Sequence, residues 1–478
     1  MQFAGFTRFP LSQALCPLNF GVLAILAMGA SSVLSQTTVN DRTPLRWRDL
    51  TQSDVLALPV VEIGDSTASA INTTGQALDL NELIQRALDI SPPLQQARAQ
   101  LEMAQSGRKI ARSDLLPSFS VRHATGPEQS QTLQQAKDKH TYRQSGVRLT
   151  QPLYNAPLFQ ELAASRHAEA SAEFRFQSAY DNVLMSVVRS TVDVASNRLV
   201  LDFSNVQLAQ LQNILGYLEN RVSAGAASPA DLERARTRVL NARQTRIEQQ
   251  AAYRNATLEL NRLTGLTPLA IRLPDTSRFP DIAIGAQQLQ SLALAQNPDL
   301  KALQLDIETQ KSRVKAELSK YLPVVGVSLE HDHSKNVQGT NGPHTDTRAL
   351  LVATWATSLG GKEWHQAEQA RAELRSRESK LTEESQRLSQ ALEGDSALLQ
   401  SAVLRIQTAQ LEQASAGKVV EAVEEQLKTG RMGSLLDALD ATERFFSARQ
   451  RLVQSMGQHI KAHAQILQRT GQLRDLKP

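Results

Sequence analysis

The segment Leu-Ile-Gln-Arg-Ala-Leu-Asp-Ile-Ser-Pro-Pro-Leu (Leu83–Leu94) recurs later in the chain as Leu-Gln-Ser-Leu-Ala-Leu-Ala-Gln-Asn-Pro-Asp-Leu (Leu289–Leu300). Both copies run without a gap into a Leu-Pro step, which ends at Pro117 in the first copy and at Pro323 in the second. A repeat of about 200 residues is far longer than the units of solenoid proteins. The sequence therefore predicts one architecture that is built from two similar halves.

The composition favours long helices that pack side by side rather than a compact enzyme core. Aromatic residues make up only 4% of the 478 residues, whereas Ala, Gln, Leu, Glu and Arg dominate long stretches. The 52 basic and 48 acidic residues give a net charge of +4 and are interspersed along the chain. Because there is no basic block, no nucleic-acid partner is expected.

The first residues, 1–35, have the features of a secretory signal peptide, with Arg8 ahead of an apolar run and small residues after it. An uncleaved membrane anchor is the alternative, although the run is short for a membrane span. The single cysteine, Cys16, precedes the run. The mature chain is therefore expected to have no disulfide and no thiolate ligand. Residues 36–77 are predicted to form an irregular extension, to which no function is assigned.

The remaining chain divides into two repeats that follow the same plan. Each repeat is predicted to contain a helix, a pair of strands and a long helical hairpin. The first repeat is predicted at 78–270, with its strand pair at 118–151 and its hairpin tip at 221–232. A linker follows at 271–283. The second repeat is predicted at 284–470, with its strand pair at 324–356 and its tip at 426–437, and a tail follows at 471–478.

Short stretches that alternate polar and apolar residues predict the strands. The pairs are Ser118–His123 with Ser145–Thr150, and Val325–Glu330 with Leu350–Trp355, and each pair is separated by a polar loop of roughly 20 residues. No stretch after residue 36 has the length and apolarity of a spanning helix, so any membrane contact is expected through strands. Four strands cannot close a barrel, but three chains would supply twelve, as in outer-membrane barrels. Two ordinary soluble hairpins remain the alternative.

The helical hairpins are too long for a globular domain. The first helix of one hairpin has no internal proline from Pro157 to Val222, which corresponds to roughly 100 Å. Apolar residues recur every seven positions in the last helix, at Leu439, Phe446, Val453, Ile460 and Leu467. This periodicity indicates coiled-coil packing. With polar residues on the other faces, it suits the wall of a water-filled tube or, alternatively, a coiled coil without a lumen.

No pattern in the chain predicts catalysis or a cofactor. We find no phosphate-binding loop, no zinc-protease motif and no nucleophile elbow. Histidine and aspartate residues do cluster in the second strand-pair region, at His331, Asp332, His333, His344 and Asp346. Such residues can bind transition metals, but a flexible polar loop would hold them without fixed geometry. We therefore expect no enzyme activity, no cofactor and no metal site.

Taken together, residues 78–470 resemble the TolC family of outer-membrane efflux and type I secretion channels. The duplicated Ala-Leu-x-x-x-Pro segment, the Leu-Pro step into a strand and the two glycine-containing hairpin turns carry this resemblance. It implies a homotrimer with a twelve-stranded β-barrel in the outer membrane of a Gram-negative-type cell and a long periplasmic α-helical tunnel with a small mixed α/β belt. It also implies a periplasmic membrane-fusion adaptor and an inner-membrane transporter of ABC, RND or MFS type. A periplasmic coiled-coil structural or adaptor protein without a pore is the alternative.

The resemblance also suggests where an adaptor would dock. The two hairpin turns would form the periplasmic tip, and glycine there allows tight turns and close approach of another chain. Serine at these positions also suits an ordinary helix cap. The docking residues implied by the resemblance are Gly225, Ser228, Gly430, Gly433 and Ser434.

The family narrows its tunnel at the tip with rings of carboxylates. The matching residues are Asp437 and Asp440, with Asp231 on the neighbouring hairpin. Alternatively, the first two are acidic residues that the helix dipole favours. This sequence departs from the family pattern at two positions. Leu427 stands where an aromatic residue is expected, and Arg431 matches the family's gating basic residue only if the match is shifted along the sequence. The interactions that would hold the tunnel closed are therefore less well defined in this sequence than the ring of carboxylates.

Overall fold

The computed structural model describes residues 79–132, 135–266, 271, 273–274, 285–337, 340–428 and 435–475. The predicted signal peptide, the extension at 36–77, most of the linker and the predicted turn with Gly430, Gly433 and Ser434 lie outside these residues. The described elements are α1 Leu80–Ile90, α2 Pro92–Ser113, β1 Ser118–Thr132, β2 Gln135–Tyr154, α3 Ala156–Ser223, α4 Pro229–Thr264, α5 Ala286–Gln296, α6 Pro298–Ser319, β3 Val324–Val337, β4 Thr340–Thr354, α7 Lys362–Lys428 and α8 Leu435–Arg469. This order confirms the two similar halves that the repeat predicts.

The repeated Pro segment breaks the first helix of each half into two. Proline has no N–H and is best placed in the first turn of a helix, so α2 and α6 each begin at a proline. The residue before each proline caps the new helix. Ser91 Oγ accepts a hydrogen bond from the N–H of Leu94 at 3.4 Å, and Asn297 Oδ1 accepts one from the N–H of Asp299 at 2.9 Å. The duplicated motif is therefore a pair of helix–helix corners.

All four described strands form one antiparallel sheet in the order β1-β2-β3-β4. The strands are longer than the sequence predicts, since β1 extends to Thr132 and β2 begins at Gln135. The predicted loops of roughly twenty residues are therefore wrong. The histidine and aspartate cluster lies on β3 and β4 rather than in a flexible loop. In the half of the sheet farther from the helices both faces are polar, so the hydropathy alternation that marks a strand is lost there.

The two faces of the sheet differ in exposure. We call the odd-numbered residues of β1–β4 the outer face, because most of the described ones are exposed, whereas most even-numbered residues in the half of the sheet farther from the helices are half-buried. Near the helices the outer face is apolar and includes Phe119, Val121 and Leu351. The inner face carries polar and charged residues, together with Leu350 and Val352 on β4. Successive side chains on a strand point to opposite faces, so this segregation follows from the sequence alternation.

Four helices form the two hairpins, α3 with α4 and α7 with α8. Helix α3 has 68 residues and α7 has 67, which corresponds to roughly 100 Å each at 1.5 Å per residue. Helix α3 packs against α4 on one side and against α8 on the other, and α8 also packs against α7. Along this part of the molecule the helices therefore lie in the order α4-α3-α8-α7, with α4 and α7 at the two edges.

The core confirms the predicted seven-residue stripe of α8. Leu439, Phe446, Val453, Ile460 and Leu467 are all buried. Toward the hairpin ends, Leu439 packs with Leu211 and Leu218 of α3 and with Val239 of α4. Toward the sheet, Ile460 and Leu467 join a larger cluster with Leu83 of α1, Val187 and Val188 of α3 and Leu260 of α4. The stripe therefore joins the two halves of the chain.

Within the described residues, no helix combines the length and the apolarity needed to cross a bilayer. The strands of that part of the chain all belong to the single sheet. The mixed α/β belt implied by the resemblance therefore contributes no strand there. Residues 473–475 of the predicted tail form a 3₁₀ helix, and Leu473 is fully buried in the large core cluster.

Candidate aperture and docking site

The turn of the first hairpin is built on Gly225. Its φ of 70° lies in the left-handed region, which glycine enters at little cost. The N–H of Ala226 donates to the carbonyl oxygen of Arg221 at 2.8 Å, and the N–H of Gly225 donates to that of Val222 at 3.0 Å. These two bonds form a Schellman motif that satisfies the last carbonyls of α3. The glycine is thus required by the turn itself.

Ser228 begins the return helix α4. Its Oγ accepts a hydrogen bond from the N–H of Ala230 at 3.2 Å, and Pro229 occupies the first helical position. This is the ordinary chemistry of a helix N-cap. A side chain at Gly225 would meet no other atom within 4 Å, so the turn presents open backbone to its surroundings. The equivalent residues Gly430, Gly433 and Ser434 lie outside the described part.

The predicted aperture carboxylates have different surroundings. Asp437 lies in the first turn of α8, is exposed and forms no ion pair with any other described residue. Asp440 lies three residues further on, which places it on the same side of the helix. Asp231 lies in the first turn of α4, and its Oδ1 is 3.4 Å from Nη1 of Arg234. The acidic residues at the starts of both helices suit the helix dipole.

Arg238 of α4 links the two hairpins beside Asp440. Its Nη2 lies 2.5 Å from Asp440 Oδ1, and its Nη1 forms an ion pair with Glu443. One guanidinium therefore bridges two carboxylates on successive turns of α8. A cavity of about 590 Å³ opens beside this contact between α3, α4 and α8. The charge of Asp440 is thus compensated within one chain, whereas no described residue compensates that of Asp437.

Sequence reasoning missed Arg238 and Glu443. Glu443 could have been found, because Asp437, Asp440 and Glu443 recur every three residues and so follow one side of α8. Arg238 gave no comparable signal, because it is separated from Asp440 by about 200 residues and its role depends on how the two hairpins pack.

The clustered histidines and aspartates do not converge on one point. His331 and His333 lie on the outer face, where their Nδ1 atoms lie 2.8 Å from Thr347 Oγ1 and 3.0 Å from Thr345 Oγ1. Asp332, His344 and Asp346 lie on the inner face, and His344 Nε2 is 3.2 Å from Asp346 Oδ2. Among the described residues, no group of three or more potential ligands could hold a metal ion.

Comparison with known proteins identifies the class of this molecule. The family model for outer membrane efflux proteins matches residues 83–266 and 289–472. The outer membrane protein TolC of Vibrio cholerae is 20% identical over 416 residues, which cover 85% of this chain and 94% of TolC. The pyoverdine export outer membrane protein OpmQ of Pseudomonas putida is 27% identical over 375 residues, covering 72% of this chain and 73% of OpmQ.

Solved structures show the same fold. The channel CusC superposes with a TM-score of 0.72 at 15% identity, covering 83% of this chain and 93% of CusC. The outer membrane protein VceC of Vibrio cholerae superposes with a TM-score of 0.70 at 15% identity, covering 82% of this chain and 96% of VceC.

The fold and the two matched repeats define a non-enzymatic exit duct of the outer membrane, with a long helical part in the periplasm. The chain belongs to the outer membrane efflux protein family. A poreless periplasmic coiled-coil protein does not fit this family.

Proposed function

We propose that three copies of this chain close into one duct, with a twelve-stranded β-barrel above and a helical tunnel below. The sheet of one chain has two edges, β1 and β4, that pair with no other described strand. Open edges need partners, and closure removes them. Helices α4 and α7 also expose apolar residues spaced by seven, at Leu240 and Ile247 and at Leu404 and Leu411. Neighbouring chains would cover both the strand edges and these stripes.

In this duct, Asp437 and Asp440 of each chain narrow the periplasmic end and favour cations, with Asp231 close by on the neighbouring hairpin. The observation that carries this proposal is the exposed carboxylate of Asp437 at the hairpin end, which forms no ion pair with another described residue. Rings of carboxylates make a pore cation-selective. Asp440 contributes less negative charge, because Arg238 compensates it. We therefore assign the larger share of the selectivity to Asp437.

Single-channel recording in planar bilayers tests the aperture. The double variant Asp437→Ala, Asp440→Ala should raise the conductance or lower the cation preference of the reconstituted protein. Asp437→Ala alone should reduce the cation preference more than Asp440→Ala does. Asp437→Glu keeps the charge and serves as the matched control, with unchanged selectivity expected. A double variant that conducts and selects like the wild type would refute this aperture.

A membrane-fusion adaptor docks on the hairpin turns in this proposal and connects the duct to an inner-membrane transporter of ABC, RND or MFS type. The support is the open backbone at Gly225, which allows another helical tip to approach closely. Ser228 shapes the same turn as a cap. Gly430, Gly433 and Ser434 are the proposed equivalents on the second hairpin.

Substitutions at Gly225 test docking, because they separate bulk from strain. Gly225→Ala and Gly225→Trp both force a side chain into the left-handed region, at a cost of about 1–2 kcal/mol. Only the tryptophan adds bulk that would block another chain. Normal trimer levels in both variants, with export and adaptor crosslinking lost only in Gly225→Trp, are expected. Equal export by the two variants would refute docking at this turn.

The cargo is proposed to be set by the inner-membrane partner rather than by this chain. The names of its relatives refer to pyoverdine export, to alkaline protease secretion and to toxin and drug export. Those cargoes differ widely in size and chemistry, although the proteins share one family. A passive duct with a wide polar lumen can serve all of them. The transporter encoded beside this gene would therefore indicate the substrate class.

A further inference from the structure

The outer face of the sheet changes character along its length. Next to the helices it is apolar, with Phe119, Val121 and Val147 exposed. Farther from the helices it becomes basic, with His123, Lys139, Arg143, His331, His333 and Lys335. We call these six residues the basic band. The helices lie on the periplasmic side, so the basic band lies at the end of the apolar surface that faces the outer leaflet.

Four of the strand carboxylates lie on the opposite face. Glu330, Asp332 and Asp346 are even-numbered residues of β3 and β4, and Glu128 is an even-numbered residue of β1. Glu330 is paired with Arg148 across the inner face, at 3.0 Å between Oε1 and Nε. Among the strand residues whose side chains the structure describes, the outer face therefore carries positive charge and no acidic group.

Two like charges of the basic band lie directly opposite each other in the strand register. Arg143 of β2 and Lys335 of β3 are Cα partners in the register, and both are exposed on the outer face. Like charges directly opposite each other destabilise a sheet unless something compensates them. Neither residue forms an ion pair with any other described residue. The pair therefore lacks a counter-charge within this part of the chain.

The histidines of the band are held in place beside this pair. His123 and His333 flank Ser145 on either side in the register, and His123 Nδ1 lies 2.9 Å from Ser145 Oγ. The Nδ1 atoms of His331 and His333 form hydrogen bonds with the hydroxyl groups of Thr347 and Thr345, respectively. In each of these rings the hydrogen-bonded nitrogen is Nδ1, so the Nε2 edge is the one directed away from the contact.

We propose that the basic band binds the phosphate groups of the glycolipid in the outer leaflet, with Arg143 and Lys335 sharing one phosphate. An apolar surface directly below the band would hold acyl chains, and fixed cations above it would hold a phosphorylated headgroup. This complementarity favours a lipid over a soluble anion, which would gain nothing from Phe119 and Val121. The inference rests on the proposed insertion of the sheet into the membrane.

Lipid retention by the purified full-length trimer tests this inference. Wild-type protein is mixed with phosphatidylcholine containing bisphosphorylated lipid A, washed in detergent, and analysed for bound lipid by native mass spectrometry. The double variant Arg143→Gln, Lys335→Gln should retain about tenfold less, because it loses two charge-assisted contacts. Arg122→Gln is the matched control, since Arg122 adjoins His123 on β1 but lies on the inner face. Its retention should equal that of the wild type.

The outcomes separate the possible ligands. If the wild-type protein retained dephosphorylated lipid A as well as bisphosphorylated lipid A, phosphate recognition would be refuted. If the double variant retained as much bisphosphorylated lipid A as the wild type, the site would be refuted. Displacement of the lipid by millimolar pyrophosphate alone would identify a soluble-anion site and refute the lipid. Conductance is recorded on the same preparations. The double variant should still conduct, whereas a wild-type protein that forms no conducting trimer would refute the proposed duct instead.

Discussion

The pair of Asp181 and Arg474 fixes the 3₁₀ helix at residues 473–475 against α3. Asp181 is buried, and Arg474 Nε and Nη2 donate to its two carboxylate oxygens at 2.6 and 2.8 Å. Burial raises the pKa of Asp181 above its ordinary value, although the hydrogen bond and the charge of Arg474 act in the opposite direction. Arg474 therefore compensates a carboxylate whose burial would otherwise be costly.

Arg474→Gln should destabilise the folded protein by about 3–5 kcal/mol at neutral pH, because it leaves a buried carboxylate unpaired. Without Arg474 the pKa of Asp181 should rise further. A raised folded-state pKa gives stability that is present below the ordinary aspartate range and is lost as the pH rises through the folded value. The deficit should therefore shrink on acidification. Thermal unfolding of the purified protein at several pH values measures this.

Arg262→Gln is the control for that measurement. Arg262 pairs with Glu259 three residues away on the surface of α4, with 2.6 Å between Nη2 and Oε1. Exposed pairs of this kind contribute little to stability. A loss in Arg474→Gln that is as small as that in Arg262→Gln, or that grows in acid, would contradict the assigned role of Arg474.

At the scale of elements, the crossing of α3 and α8 depends on one glycine. A Cβ placed on Gly457 would lie 2.9 Å from Ser196 Oγ and 3.3 Å from Val192 Cγ1. The two helices therefore approach closely at this point, and the seven-residue stripe of α8 can be buried on both sides of it. Helix propensity alone would favour another residue here, since glycine costs about 1 kcal/mol relative to alanine within a helix. Packing outweighs propensity at this position.

Gly457→Leu should destabilise the contact between α3 and α8 by about 1–3 kcal/mol, because the added side chain overfills a packed interface. Gly216→Ala in α3 is the matched helical control, because a Cβ placed on Gly216 would meet nothing within 4 Å. That control should gain about 1 kcal/mol from helix propensity. The thermal unfolding temperatures of the two variants should therefore move in opposite directions. A neutral Gly457→Leu would show that the crossing is looser than its geometry indicates.

At the scale of the whole molecule, one chain leaves apolar stripes uncovered at both edges of its helical wall. Leu411 of α7 is 73% exposed and Ile247 of α4 is 56% exposed in the single chain. Such residues lie seven apart from Leu404 and Leu240, which is the spacing of helices that pack together. A wall that ends in two complementary stripes is expected to continue into the next copy.

Leu411→Asp should therefore lower the amount of trimer in the outer-membrane fraction several-fold, because it places a charge in an apolar interface. Gln410→Asp introduces the same charge at an exposed neighbouring position and should leave the trimer unchanged. Membrane fractionation followed by electrophoresis of unheated samples measures both. Recovery of the wild-type protein as a soluble periplasmic monomer would contradict the trimeric duct altogether.

The sequence alone determined the two halves, the broken first helix of each half, the long hairpins and the buried stripe from Leu439 to Leu467. These features are local, because proline placement and seven-residue spacing act within one helix and repeat in the second half. Tertiary structure decided the rest. The strands continue beyond His123 and Glu330, where the predicted strands end, because hydrogen bonds to neighbouring strands hold the polar residues that follow. Arg238 meets Asp440 only because α4 and α8 both pack against α3, and Arg143 faces Lys335 only because β2 and β3 adopt one register. Contacts between distant segments depend on packing and register, which no local pattern of residues encodes.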